Sequence, residues 1–387
     1  YGLKFAAESS GELKYVTIEY AGKYYNSLFH ANAININAAS VNIDHLIVQH
    51  VGDASDRQAY GIAISSGAAP TITDSTLRDI ELTGIYQGGG ASEIHNNNIQ
   101  NTALGIKVIG GASNITENKI KNNVQGVSLN ANTAYQFKNN RLTDNESVGS
   151  LTYYAMNTIA DNHWENNGTG NRLAVKGAIG VNSIWDQDIL LTDRLTIKTD
   201  TSLTIMPGVK IFAESLGYLE VSGQLLAEAN NDEERIIFTS AQETPTAGDW
   251  RGLNFESNSS GHLKYVTVEY AGRSYYSSNP NGISISNASP TLDNILIQYI
   301  ENTAYGIANG VVGGSSIIKN SIFQYIEGYG IKNASGEISN NISHYNGGGA
   351  LLLGDFTFTE NTLANNTTGI FIDSSQNNFQ FENNIIQ

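Results

Sequence analysis

Two stretches of this chain, 250 residues apart, carry nearly the same text. Residues 2–27 read GLKFAAESSGELKYVTIEYAGKYYNS and residues 252–277 read GLNFESNSSGHLKYVTVEYAGRSYYS, identical at 17 of 26 positions. Inside each copy a shorter period runs. A glycine followed by an apolar residue recurs at Gly61, Gly84, Gly105 and Gly126, and again at Gly282, Gly306, Gly330, Gly349 and Gly369, at spacings of 19 to 24. About ten residues after most of these comes a second signature, as in IHNNNI, ITENKI, FKNNRL, IIKNSI, FTENTL and FENNII. Apolar residues alternating two by two mark short strands with one buried face. Several strands in a period near 22 predict a solenoid, because one coil cannot bury its inner face alone and must stack on the next. Each strand then pairs in parallel with its equivalent one coil away. The expected fold is all-β, with about 17 coils in the whole chain.

The same alignment places Asn97, Asn118 and Asn140 at one repeat position, with Asn320, Asn361 and Asn384 as their counterparts in the second copy. Identical amides stacked coil on coil can hydrogen-bond up the column and satisfy buried corner backbone. Val16, Leu46, Val266 and Ile295 take this slot in other coils, and Ser75 is intermediate. Gly and Asn are expected to supply positive-φ corners. The expected organisation is a first module over 1–165, N-terminally incomplete, a junction over 166–182 where strand signals are weakest, and a second module over 183–387 continuous with the first. The start matches the middle of a repeat, so further repeats are expected before it.

From Leu195 through PGVKIF, LEVSGQLLAE, IIFTS, GDWRGLNF and LKYVTVEYAG the chain resembles the repeat modules of bacterial secreted right-handed parallel β-helix proteins. Its Gly-Ile and I-x-x-N-x-I coils are similar to those of the pectin-lyase-like superfold. The resemblance implies a right-handed, single-stranded parallel β-helix and a secreted or cell-surface location. It leaves function open, because that superfold hosts lyases, hydrolases, epimerases, adhesins and phage tailspikes. The paired Asp, Gly-His-Gly and Arg-x-Lys segments of the pectin-hydrolysing relatives do not occur here.

Charge narrows the partners. A formal net charge of −16 disfavours nucleic acid and anionic membrane surfaces. No apolar run approaches the ~20 residues of a membrane span. Charged residues make up only 15%, and Asn, Ser, Thr and Gly take their place, a surface suited to saccharides. There is no cysteine, hence no disulfide or thiolate metal site.

Asp53, Asp56 and Arg57 are the best catalytic candidates, a trio suited to Ca2+ binding and to abstracting a sugar proton. A solvated loop with a local ion pair explains them more simply, and the second copy lacks the insertion. No cofactor is otherwise implied. The 20 tyrosines are more informative. Tyr20, Tyr270, Tyr299, Tyr305 and Tyr329 are expected outward or at corners, Tyr299 one coil after Tyr270, and Tyr305 and Tyr329 on adjacent coils. Such a row is a candidate platform for sugar rings or a partner protein, or a stack that stabilises the coils. The function this supports is a non-catalytic extracellular module acting as an adhesin-like rod that binds polysaccharide or a cell-surface partner. The alternatives are a polysaccharide lyase, hydrolase or epimerase, and a filament subunit that associates end to end.

Overall fold

The computed structural model describes residues 2–21, 32–52, 59–154, 156–273, 281–301, 309–312, 315–373 and 378–387. It divides into two compact units, Tyr1–Ala174 and Val175–Gln387. All described strand pairings are parallel, each joining a strand to its equivalent one coil along. The described residues hold no α-helix and one 3-10 turn, Asp232–Glu234, capped by the Asn231 side chain. Each unit is therefore a parallel β-helix. The stretch 166–182, expected to be poor in strands, contains the seven-residue strand Leu173–Ile179.

The core is built from columns of inward side chains. In the first unit Ile43, Ile72, Ile94, Ile115, Phe137 and Ile159 lie in register on one wall. Val48, Leu77, Ile99, Ile120, Leu142 and Trp164 lie on a second. All twelve are buried. The second unit does the same with Ala227, Leu263, Leu292, Ile318, Ile338 and Phe358. Strands pair at ~4.8 Å, so like side chains meet at van der Waals distance down each column.

Corners are where a solenoid has to solve a backbone problem. Asn96, Glu117, Asn139 and Asp161 each adopt φ of 50° to 59°, and so do Asn101, Asn122, Asp144 and Asn166 five residues later. Each coil thus carries two left-handed positions that bracket one short strand. The residue immediately after each points inward and serves the neighbouring coil. Asn118 Oδ1 accepts the Asn97 backbone N–H at 2.9 Å and the Asn97 amide at 3.0 Å. The Asn118 amide donates to the Ile94 carbonyl at 2.9 Å and to Asn140 Oδ1 at 3.0 Å. Asn140 does the same toward Asn162, and Ser75 ends the column by accepting the Leu46 N–H.

A second ladder stands at the other corner and was not anticipated. It runs Thr102, Asn123, Asn145 and Asn167 in the first unit, and Ile326, Asn346 and Asn366 in the second. Its signal is an Asn three residues before the Gly-apolar pair, as in Asn123 and Gly126 or Asn346 and Gly349. Those glycines are not positive-φ residues, contrary to expectation. They are required by close approach: a Cβ on Gly105 would stand 2.5 Å from the Gly126 carbonyl oxygen.

Asn320 is a correction to the first ladder. It occupies the left-handed position itself, is exposed, donates to Asp293 and accepts from Asn340. The ladder slot is Ser321, followed by Asn341, Asn361 and Asn384. The adjacent Ile317 and Ile318 make the motif readable in two registers; Ile318 is the buried one and Ile317 is 39% exposed.

Asn118→Ala would leave buried donors and acceptors on both neighbouring coils unpaired, at about 1–3 kcal/mol each. We expect a loss of roughly 3 kcal/mol or more in urea unfolding, against under about 1 kcal/mol for Asn320→Ala at its exposed site. Equal losses for the two variants would contradict the ladder assignment.

Candidate ligand-binding faces

The second left-handed column of the second unit holds tyrosines on successive coils: Tyr270, Tyr299, Tyr325 and Tyr345, with φ of 54° to 60°. Their rings stack at centroid distances of 5.2, 5.4 and 5.7 Å, with interplanar angles of 9°, 6° and 5°. Exposure rises along the row, from 36% at Tyr299 to 47% at Tyr325 and 52% at Tyr345. Because the rings face one another, what they offer outward is a line of edges and hydroxyls rather than flat faces. Beside them runs a polar row. Thr239 Oγ1 donates to Glu269 Oε1 at 2.9 Å, Gln298 Nε2 to Glu269 Oε2 at 2.8 Å, and Gln324 Nε2 to Gln298 Oε1 at 2.7 Å.

The first unit begins with the same pattern. Tyr20, 77% exposed, stacks on His50 at 5.1 Å and 17°. Gln49 joins Glu19 to Arg78 in the equivalent polar row. His45 and His50 occupy the two left-handed positions of their coil, both exposed.

Of the tyrosines singled out from sequence, Tyr270 and Tyr299 stand side by side and Tyr20 makes the matching stack in the first unit. Tyr329 lies in a different column, its half-buried ring packed over Gly348. Tyr305 lies outside the described residues, as do Asp53, Asp56 and Arg57. Tyr325 and Tyr345 were missed, although the repeated Q-Y-I-E at 298–301 and 324–327 marks the first of them.

A constellation with metal-ligand geometry occurs at Asp44, His45 and Asp74, whose ligand atoms lie within 4.8 Å of one another. Its carboxylates are already engaged. Asp44 takes Lys14 at 2.7 Å on Oδ2 and the His45 ring at 2.5 Å on Oδ1, and Asp74 accepts the Asn96 amide. The Lys14 hydrogen bond, then that of His45, holds the Asp44 carboxyl below its ordinary range. With an ammonium seated on one carboxylate, the group reads as a surface ion pair.

Several phenols are held protonated. Burial, then Glu269, raises Tyr270; burial pushes Tyr218 up to about 12, and raises Tyr135, whose hydroxyl donates to the Thr152 carbonyl. An unfolded tyrosine titrates near 10. Between that value and the raised native ones the unfolded state sheds protons that the native state keeps, so these groups stabilise the fold below pH ~10 and the contribution is lost as pH rises further. Circular-dichroism melts are expected to fall steeply in midpoint above pH ~10, and less steeply in Tyr218→Phe. A midpoint flat across that range would count against the buried phenols.

No helix among the described residues is long and apolar enough to cross a membrane. No curated protein and no solved structure matches the chain. Residues 7–183 match the family model described as a right handed beta helix region. Over that span the chain is similar to this family, and the all-parallel, coil-to-coil pairing of both units is that of a right-handed parallel β-helix.

Proposed function

We propose that the chain is a non-catalytic, extracellular β-helix module that binds polysaccharide along the Tyr270–Tyr299–Tyr325–Tyr345 row. The observation that carries this reading is the conformation of those tyrosines. A bulky side chain at positive φ costs roughly 1–2 kcal/mol, and Asn, which visits this region more readily, fills the same corner at Asn101, Asn122 and Asn365. Aromatic stacking returns about 0.5–1.5 kcal/mol per pair. Three stacked pairs return at most about what the four corners cost, so stability alone gives little reason to keep tyrosines there, three of them exposed.

Recognition supplies a reason. The rings repeat at 5.2 to 5.7 Å, close to the residue length of an extended β-linked glycan, and Glu269, Gln298 and Gln324 accompany Tyr270, Tyr299 and Tyr325 coil by coil as a hydrogen-bonded row. A glycan lying along the row meets one hydroxyl and one amide or carboxylate per sugar. Each contact is weak, and their repetition multiplies the affinity. The charge of −16 and the neutral-polar surface favour an uncharged polymer at this face.

The test is a polysaccharide array followed by titration of the best ligand. Tyr299→Phe with Tyr325→Phe keeps the stack and removes two hydroxyls, each worth about 0.5–1.5 kcal/mol, so affinity should drop about tenfold with the thermal midpoint nearly unchanged. Absence of binding across the array, or full affinity in the double variant, would sink the proposal.

A further inference from the structure

The tyrosine row of the second unit is closed at one end and open at the other. One coil before Tyr270 the strand Ile236–Ser240 runs into a loop, residues 241–249. That strand pairs Ile236 with Val266 and Phe238 with Val268, which sets Ser240 opposite Tyr270, so the loop leaves the core where a further ring of the row would stand. The loop is fastened. Asp249 Oδ2 accepts the Ser240 hydroxyl at 2.6 Å and the Thr246 N–H at 2.9 Å, and Oδ1 accepts the Thr246 hydroxyl at 2.7 Å. Its base is tied to the coil of Tyr270. The Asp249 N–H donates to the Tyr270 carbonyl at 2.9 Å, the Gly248 N–H to the Ala271 carbonyl at 3.1 Å, and the indole N–H of the buried Trp250 to the Glu269 carbonyl at 2.8 Å. Gln242, Glu243, Thr244 and Thr246 stand exposed on it. Tyr299, Tyr325 and Tyr345 are exposed, whereas Tyr270, beside the loop, is half-buried. At the other end the column continues from Tyr345 to Asn365, exposed and too short to obstruct the row.

We infer that the row takes the terminus of a neutral β-linked glycan, with the last sugar at Tyr270 against the 241–249 loop and the rest of the chain leaving past Tyr345. The inference rests on the reading of this row as a glycan site and adds which part of the glycan it holds. An extended β-linked chain is stiff, each linkage keeping one sugar in line with the last. Ring steps of 5.2, 5.4 and 5.7 Å seat one sugar per tyrosine, four in all. A chain lying on the row by its middle would need its next sugar in the space that the loop fills, and it cannot turn aside within one linkage. A chain end has no such sugar. Glu269 and Asp249 both act on the Tyr270 phenol, so a uronate terminus would meet like charge at the closed end, and a neutral sugar would not.

The number of protein molecules bound per glycan chain reads this out. Xylo- and glucomanno-oligosaccharides of two to six sugars, and size-fractionated soluble xylan and glucomannan, are titrated into the whole chain by calorimetry. Each added sugar up to four should raise affinity about two- to tenfold, and a fifth or sixth by less than about twofold. The polymers should bind one protein per chain whatever their length. Asp249→Ala removes the hydrogen bonds that fasten the loop and should let a long polymer carry several proteins. Stoichiometry that rises with chain length in the unaltered protein, affinity that keeps climbing past four sugars, or one protein per chain in a correctly folded Asp249→Ala variant would each overturn the inference while leaving the row a glycan site. Failure of these oligomers to bind would overturn it as well, and a blank polysaccharide array would remove the row's reading with it. The length series needs no variant, so it decides the matter even if Asp249→Ala does not fold.

Discussion

The buried side-chain amide is the interaction on which the coils depend. A parallel strand pair satisfies backbone groups along straight segments, but each coil must also turn, and at a turn the N–H of the inward residue points along the stack with no strand partner. Asn resolves this because it carries a donor and an acceptor on one short planar group. Asn118 shows all the connections at once: up to Asn97, down to Asn140, and sideways to the Ile94 carbonyl. Such a bond is worth only about 1 kcal/mol when made, but leaving the group buried and unpaired costs about 1–3 kcal/mol. The ladder therefore acts less as glue than as a condition on register: a coil slipped by one residue would bury unpaired amides at both corners.

This condition explains what could be read directly and what could not. The I-x-x-N-x-I signature is strictly periodic because it reports inward apolar residues and the first ladder together, so Asn97, Asn118, Asn140, Asn361 and Asn384 are visible from spacing. The misplacement of Asn320 arose where two isoleucines in a row, one exposed and one buried, blurred the register. The second ladder escaped because its signal straddles the Gly-apolar pair, and the glycine attracted attention for conformational freedom when it was conserving space for the next coil's carbonyl. The tyrosine row was half legible for the same reason. Counting from Gly-Ile led to Tyr305 and Tyr329, whereas the corner that organises Tyr325 and Tyr345 is counted from the ladder slot, Ser321 and Asn341, four residues earlier in the coil.

The left-handed corners give the fold its freedom to vary. The residue at each corner projects outward while its successor holds the ladder, so the outward residue can change without disturbing the core. The described corners carry Asn, Asp, Glu, His and Tyr. Since each coil touches mainly its two neighbours, such changes remain local, and a run of equal choices on adjacent coils becomes a surface row.

The duplicated segments show two outcomes from one beginning. Both start with a tyrosine at the second corner, Tyr20 and Tyr270, beside a Glu-Gln polar row. In the second unit the following coils keep a ring at that corner, and the stack loosens from 5.2 to 5.7 Å as exposure grows, since ring separations exceed the ~4.8 Å strand spacing and the side chains fan outward. In the first unit the ring is lost after His50, and the vacated volume becomes a groove bordered by carboxylates. A filled column presents edges and a truncated column presents a face. One corner position, occupied or shortened, is thus enough to give the same core two differently shaped surfaces.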